Sequence, residues 1–182
     1  MRLAFYKTEH GRLYQKAIAW WTRPGPYCHV EVVFDGWDHV YYSNMDIQQH
    51  DAGGSLCFSS SEQDGGTRFK IIDINPEQWD TVDVPYSYER SLAWALRHQH
   101  LKYDWRGLRG FVFPWEKPDP ADLFCSEAAT ELGQAQGVAH PGYAFFRRGG
   151  RNMQDIFRLD LLKAAIPGKT SPNALAHIVG LL

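Results

Sequence analysis

Cysteine is scarce in this chain of 182 residues, which holds only three. An odd, low count excludes a disulfide framework and favours a reducing compartment. Long apolar runs are missing too. None approaches the ~18 residues of a membrane span, and the longest, 174–182, is interrupted by His177. The opening Met1-Arg2-Leu3-Ala4-Phe5-Tyr6-Lys7 breaks too soon for a signal-peptide core, so synthesis in the cytoplasm is expected and the final location is left open. Neither sign of charge prevails: 19 Lys and Arg against 21 Asp and Glu leave a net charge of −2. That speaks against an electrostatic grip on nucleic acid or on an anionic membrane. Internal repeats, low-complexity tracts, a P-loop, a dinucleotide fingerprint and a serine nucleophile elbow are all absent, and no cofactor is called for. With 44% hydrophobic residues, the expectation is one soluble globular domain over 1–182.

Aromatic residues are plentiful at 14%, seven of them Trp. Most are expected in the core, although such side chains also line grooves. Residues 2–7 predict a strand, and 11–22 a helix with Leu13, Ala17, Ile18 and Trp21 on one face, stopped by Arg23-Pro24-Gly25-Pro26. Alternation over 28–34 predicts a strand, and further strands are expected over 55–60 and 68–73, joined across Asp64-Gly65-Gly66. The polar stretch 37–54 is expected to be a surface insertion, with 40–42 as a possible strand within it. A weaker strand is placed over 79–84. Helices are expected over 87–99, from Cys125 to about 137, and in a tail over 153–165 and 172–180, the last preceded by Thr170-Ser171-Pro172. Helices around a run of antiparallel strands make the class α+β, with a sheet of about five strands.

Two of these positions can carry chemistry. Cys125 opens a helix directly after a Pro-rich loop. There the unpaired N–H groups favour an anion, and a thiol so placed beside an imidazolium is a nucleophile near neutral pH. The alternative is a buried, inert cysteine. His29 opens the strand 28–34, where His29, Glu31 and Val33 share one face and Val30, Val32 and Phe34 the other. The second face is core; the first is either solvated or functional. Paired, a His and a Cys supply the base and nucleophile of covalent catalysis. Glu127 reads as a first-turn acid favoured by the helix dipole rather than as a catalytic group.

The order of a His strand, a Ser-rich strand with Asp-Gly-Gly, Tyr103-Asp104-Trp105-Arg106-Gly107, and then Phe124-Cys125-Ser126-Glu127 resembles the circularly permuted branch of the NlpC-type papain-like superfamily. His-before-Cys order is similar to that of lecithin:retinol acyltransferase-like proteins. The resemblance spans roughly 27–132 and implies a permuted papain-like fold with a central antiparallel sheet flanked by helices. It also implies a cysteine peptidase or amidase acting on a peptide or peptidoglycan-type amide. By the same resemblance Cys125 corresponds to the nucleophile, His29 to the base and Tyr103 to a tyrosine lining the cysteine site. Trp105 is placed with Tyr103 at the substrate, and Phe113 and Trp115 are further candidates to frame the cleft. The family's third position, which orients the imidazole, falls on Ser59, a weak orienter. Glu31 on the His29 face is the alternative, as is His39 if 40–42 is the neighbouring strand.

Rival classes remain open from sequence. One is a catalytically weak or inactive module of a phage tail or cell-envelope assembly, which the serine at the third position favours. Another is a thioester-forming acyltransferase or lipid amidase. A zinc site drawn from Cys28, His29, His39, His50 and Cys57 lacks paired ligand spacing and is not expected. A disulfide between Cys28 and Cys57 on adjacent strands is compatible with the main reading. Access to a cell wall without a signal peptide would come through lysis, a phage particle or a secretion machine.

Overall fold

A computed structural model describes residues 1–22, 25–36, 45–50, 53–110, 113, 115, 119, 121–135, 171–179 and 181. Six strands form one sheet: β1 (Arg2–Lys7), β2 (Tyr27–Phe34), β3 (Ile47–His50), β4 (Ser55–Ser61), β5 (Gly66–Ile72) and β6 (Trp79–Asp83), in the order β3-β5-β4-β2-β1-β6. Five of them pair antiparallel, and short β3 adds to β5 in parallel at the edge. The helices are α1 (Leu13–Thr22), α2 (Tyr88–His98), α3 (Trp105–Arg109), α4 (Cys125–Gln134) and α5 (Pro172–Val179). Mixed α+β architecture with an antiparallel central sheet is therefore what this sequence adopts. The expected strand over 40–42, His39 and the tail helix over 153–165 lie outside the described residues. β3 falls within the stretch expected to be a surface insertion, so part of that stretch belongs to the sheet.

Period-two alternation builds two unequal layers. Leu3, Phe5, Val30, Val32, Phe34, Leu56, Phe58, Phe69 and Ile71 point to one face. There they meet Leu92, Trp94 and Ala95 of α2, Ala128, Ala129 and Leu132 of α4, and Leu175 and Ala176 of α5. The opposite face holds a smaller apolar group, Ala4, Val33, Cys57 and Trp79. Toward the His29 end this face turns polar.

Two residues of the face predicted for α1 point outward: Leu13 is 87% exposed and Ala17 is also exposed, while Ala19 is buried. The side chains of Ile18 and Trp21, the other two residues of that face, lie outside those described. Just before the helix Gly11 is buried, and a Cβ there would come within 3.2 Å of the Cys28 sulfur.

The segment leading into α4 is stitched to the sheet. Gly66 at the start of β5 bridges to Lys102, and Tyr103 bridges to Leu123. Thr67 donates its backbone N–H to the Leu101 carbonyl at 2.9 Å and accepts from the His100 N–H at 2.9 Å. Ser60 of β4 donates its hydroxyl to the Leu123 carbonyl. Gly66 has φ +143°, and a Cβ there would lie 1.8 Å from the Leu101 carbonyl oxygen. Gly36 also has positive φ, +76°, but faces open space. Gly66→Ala should cost about 2 kcal/mol of unfolding free energy, from strain and displacement together. Gly36→Ala should cost only the left-handed backbone penalty of about 1 kcal/mol. Urea denaturation of both variants measures the difference, and equal losses would contradict the stitching role of Gly66.

Candidate active site

β2 opens with an irregularity that bears on the site. Tyr6 pairs with His29 and Lys7 with Tyr27, so Cys28 is an extra residue without a partner on β1. A bulge bends a strand and re-aims its side chains. The start of β2 is held on its other side by α5: Asn173 accepts from the Tyr27 N–H at 2.9 Å and donates to the Tyr27 carbonyl at 2.8 Å. His29 therefore sits on a fixed piece of backbone.

His29 Nε2 lies 2.8 Å from Glu31 Oε1, and the Cys125 side chain is near enough to its ring to act on its charge. With Nε2 turned to the carboxylate, Nδ1 is the nitrogen left for the sulfur. Glu31 is 1% exposed and is gripped by both guanidinium prongs of Arg68, Nη1 to Oε2 at 2.9 Å and Nη2 to Oε1 at 2.6 Å. Arg68 Nε reaches Asp64 at 2.7 Å, and Lys70 Nζ reaches the same carboxylate at 3.2 Å. From His29 outward five side chains thus alternate in charge: imidazolium, carboxylate, guanidinium, carboxylate, ammonium. The face shared by His29 and Glu31 is not solvated at Glu31; it is a paired, buried polar layer.

Burial opposes charge on His29, but the Cys125 sulfur and the Glu31 carboxylate outweigh it and raise its pKa to about 9. Burial likewise opposes charge on Glu31, yet Arg68 above all, and then His29, hold its carboxyl down at about 2. At neutral pH the pair is an imidazolium beside a carboxylate.

Ser59 does not orient the imidazole. Its hydroxyl donates to the Val30 carbonyl at 2.6 Å. Sheet register gives it a different part. Ser59 pairs with Arg68, and the β2–β4 register that sets Val32 against Phe58 runs on to set Glu31 against Ser59. Glu31 and Arg68 are thus two strands apart, roughly 10 Å in backbone, with only a serine between them for the guanidinium to cross. Among the described residues, β2's neighbours in the sheet are β1 and β4.

Cys125 opens α4 and is 5% exposed. Phe124 is the N-cap, with extended backbone, and its N–H goes to Glu127 Oε2 at 3.3 Å. Burial, with Asp104 and Glu131 nearby, raises Glu127 to about 8; it holds the helix start rather than facing the reacting pair. Tyr103 is close enough to feel the Cys125 charge. Burial first and that charge second push its phenol well above the usual range, so its hydroxyl stays a donor.

Two clefts adjoin across the β4–β5 turn. One, of about 300 Å³, is lined by His29, Glu31, Arg68, Lys70, Tyr6 and Trp79, together with Arg12, Gln15 of α1 and Gln63. Gln63 donates to the Tyr14 hydroxyl, tying the turn to α1. The other, of about 380 Å³, is lined by Tyr103, Trp105, Lys102, Arg106, Glu62 and Asp122. Trp105 packs edge-on to Tyr103 with centroids 5.1 Å apart. Phe113 and Trp115 pack on each other and line neither of these clefts.

The other two cysteines, Cys28 and Cys57, lie on β2 and β4. Burial pushes Cys28 up to about 12 and Cys57 well above its usual range. All three thiols are free. A Cys28–Cys57 disulfide is ruled out by register, since Cys57 faces Val33; Cys28 lies five residues further on, roughly 16 Å away, where a bridge needs Cα atoms within about 7 Å. Among the described residues, no three His, Cys, Asp or Glu side chains are placed to share a metal ion. Arg68 and Asp64 were not singled out from sequence. The available signal was the hairpin register, which sets a cation two strands from a glutamate on the same face.

Compared with known protein families, characterised proteins and solved structures, the chain matches none.

The two shifts fix a pH dependence of stability. Raised from 6.5 to about 9, His29 contributes stability fully below pH 6.5 and loses it as pH rises through 9. Lowered from 4.5 to about 2, Glu31 contributes fully above pH 4.5 and loses it as pH falls through 2. Glu127, raised from 4.5 to about 8, adds to the alkaline decline. Urea unfolding from pH 5 to pH 10 should therefore show falling stability that is shallower in His29→Asn. An identical alkaline slope in that variant would contradict the assignment.

Proposed function

We propose that this protein is a cysteine hydrolase that cleaves an amide bond in a peptide or peptidoglycan-type peptide, on a papain-like fold in circularly permuted order. One observation carries the proposal: a histidine beside a cysteine at a helix N-terminus, with Nε2 of its ring held by a buried carboxylate. Nucleophile, acid–base and orienting group in that sequence of contacts are the parts of covalent acyl transfer. The non-catalytic alternative drew its support from a serine at the third position, and Glu31 occupies that role instead. The cleft at His29 is bounded by Arg, Lys, Gln, Asp and Glu side chains, which suits a peptide better than a lipid acyl chain.

In the proposed reaction the Cys125 thiolate attacks the substrate carbonyl carbon. The tetrahedral oxyanion collapses as the C–N bond breaks, and His29 gives its proton to the departing amine. Water then attacks the thioester while His29 takes its proton. The acid leaves, and thiolate and imidazolium are restored. The Cys125 backbone N–H at the start of α4 is a natural oxyanion donor, and the Tyr103 hydroxyl is a second candidate near the sulfur. No helix among the described residues is long and apolar enough to cross a membrane. Delivery to an envelope substrate within a phage particle or envelope complex is compatible with this chemistry.

Cys125→Ala should abolish hydrolysis of peptidoglycan fragments and peptide amides, followed by mass spectrometry, while circular dichroism stays that of the native protein. Cys125 should also be alkylated by iodoacetamide far faster than Cys28 and Cys57, and His29→Ala should slow that labelling by tenfold or more, the order expected of a lost acid–base partner. Hydrolysis surviving in a folded Cys125→Ala protein would end the proposal.

A further inference from the structure

We propose that Arg68 is a positioning residue for the His29–Cys125 pair, acting through Glu31: its two-pronged grip keeps that carboxylate ionised and aimed at the imidazole. The inference rests on the cysteine-hydrolase reading of the site and adds to it a residue two strands from the base. A carboxylate out of water is stable as an anion only when paired and fully hydrogen-bonded. Glu31 has Ala4, Val33, Cys57 and Trp79 on its side of the sheet, an apolar setting that would otherwise leave it protonated. Among the described residues, its hydrogen bonds come from His29 and Arg68. Oε1 accepts from both, so the guanidinium plane fixes the direction in which that oxygen meets Nε2.

The charged and titratable groups around the pair come from every neighbouring element. β1 supplies Tyr6, β4 Cys57, β5 Arg68 and Lys70, the β4–β5 turn Asp64, and α4 Cys125, with Tyr103 beside it, while His10 and Arg12 stand at the cleft. Of these, Arg68 is the cation in contact with Glu31, and at 3% exposure it is as buried as its partner. Asp64 binds Nε, the nitrogen not used on Glu31, and so fixes the fork from behind. Removing the fork frees Glu31 to take a proton as pH falls. A neutral Glu31 no longer stabilises the imidazolium, and the thiolate is lost with it.

Alkylation of Cys125 by iodoacetamide between pH 4 and pH 9, read by mass spectrometry of the labelled peptide, tests this without a substrate. Arg68→Gln should move the acid limb of the profile upward by about one pH unit, the lower end of the effect of a neighbouring cation on a carboxylate. That is about tenfold slower labelling along the acid limb, with rates near pH 8 within about twofold of the parent. Arg68→Lys, which keeps the charge but loses the fork, should fall between the two. Superimposable profiles, or an equal drop at every pH, in a folded Arg68→Gln protein would overturn the positioning role. Should that variant fail to fold, Arg68→Lys decides alone: an acid limb moved upward supports the role, and an unmoved limb overturns it. Parent Cys125 labelling no faster than Cys28 and Cys57 would instead sink the hydrolase reading, and the role of Arg68 with it.

Discussion

A glutamate side chain almost entirely removed from water sits at the centre of this molecule's chemistry, and much of the surrounding architecture serves to keep it charged. Burying an unpaired carboxylate costs several kcal/mol, more than most single contacts return. Here the cost is met from two directions at once. Arg68 reaches across β4 to take both oxygens, and His29 takes one of them from along β2. The small Ser59 in the intervening strand and Asp64 behind the guanidinium are what make that reach possible and directed. The consequence for His29 is a ring fixed in tautomer and orientation, with one nitrogen committed and the other available to sulfur.

Bringing the sulfur there is a separate problem, solved by backbone. α4 packs with α2 and α5 on the large apolar face, whereas the polar layer lies on the other. The two meet because the segment before α4 is laced to the sheet by the Gly66–Lys102 and Tyr103–Leu123 bridges and by the Ser60 hydroxyl. At the opposite side of the junction, the bulge at Cys28 bends β2, and Asn173 from the far end of the chain clamps Tyr27. Residues distant in sequence thus fix the relative position of His29 and Cys125, and most of them do so through main-chain groups that carry no sign of the task in their side chains.

That explains which parts were legible beforehand. Strands such as 28–34 and 55–60 announce themselves because their apolar residues alternate and Gly-containing turns bound them. The Ser87 cap and the Ser171-Pro172 start mark α2 and α5 in the same way. His29 and Cys125 stood out as candidates from residue chemistry and from the resemblance in motif order. What stayed hidden depends on three-dimensional adjacency. Ser59 looked like an orienter because it is polar and near; only register shows it as a spacer. Arg68 looked like an ordinary charged position on a strand, since nothing in local periodicity says that a guanidinium will lie over its neighbour. Leu13 on α1 misled because amphipathic spacing places a large apolar side chain inward, whereas it stands at the first turn of the helix and is exposed. β3 lacks alternation altogether and exists through pairing with β5.

The alternation of sign from His29 to Lys70 has one more implication. A row of opposite charges in contact, mostly shielded from solvent, produces little field at a distance and attracts little atmosphere of small ions. Its strength comes from contacts too short for dissolved electrolyte to enter. The ion pairs of Glu31 should accordingly be indifferent to ionic strength, so that a change of medium between a crowded cell interior and dilute surroundings leaves them as they were.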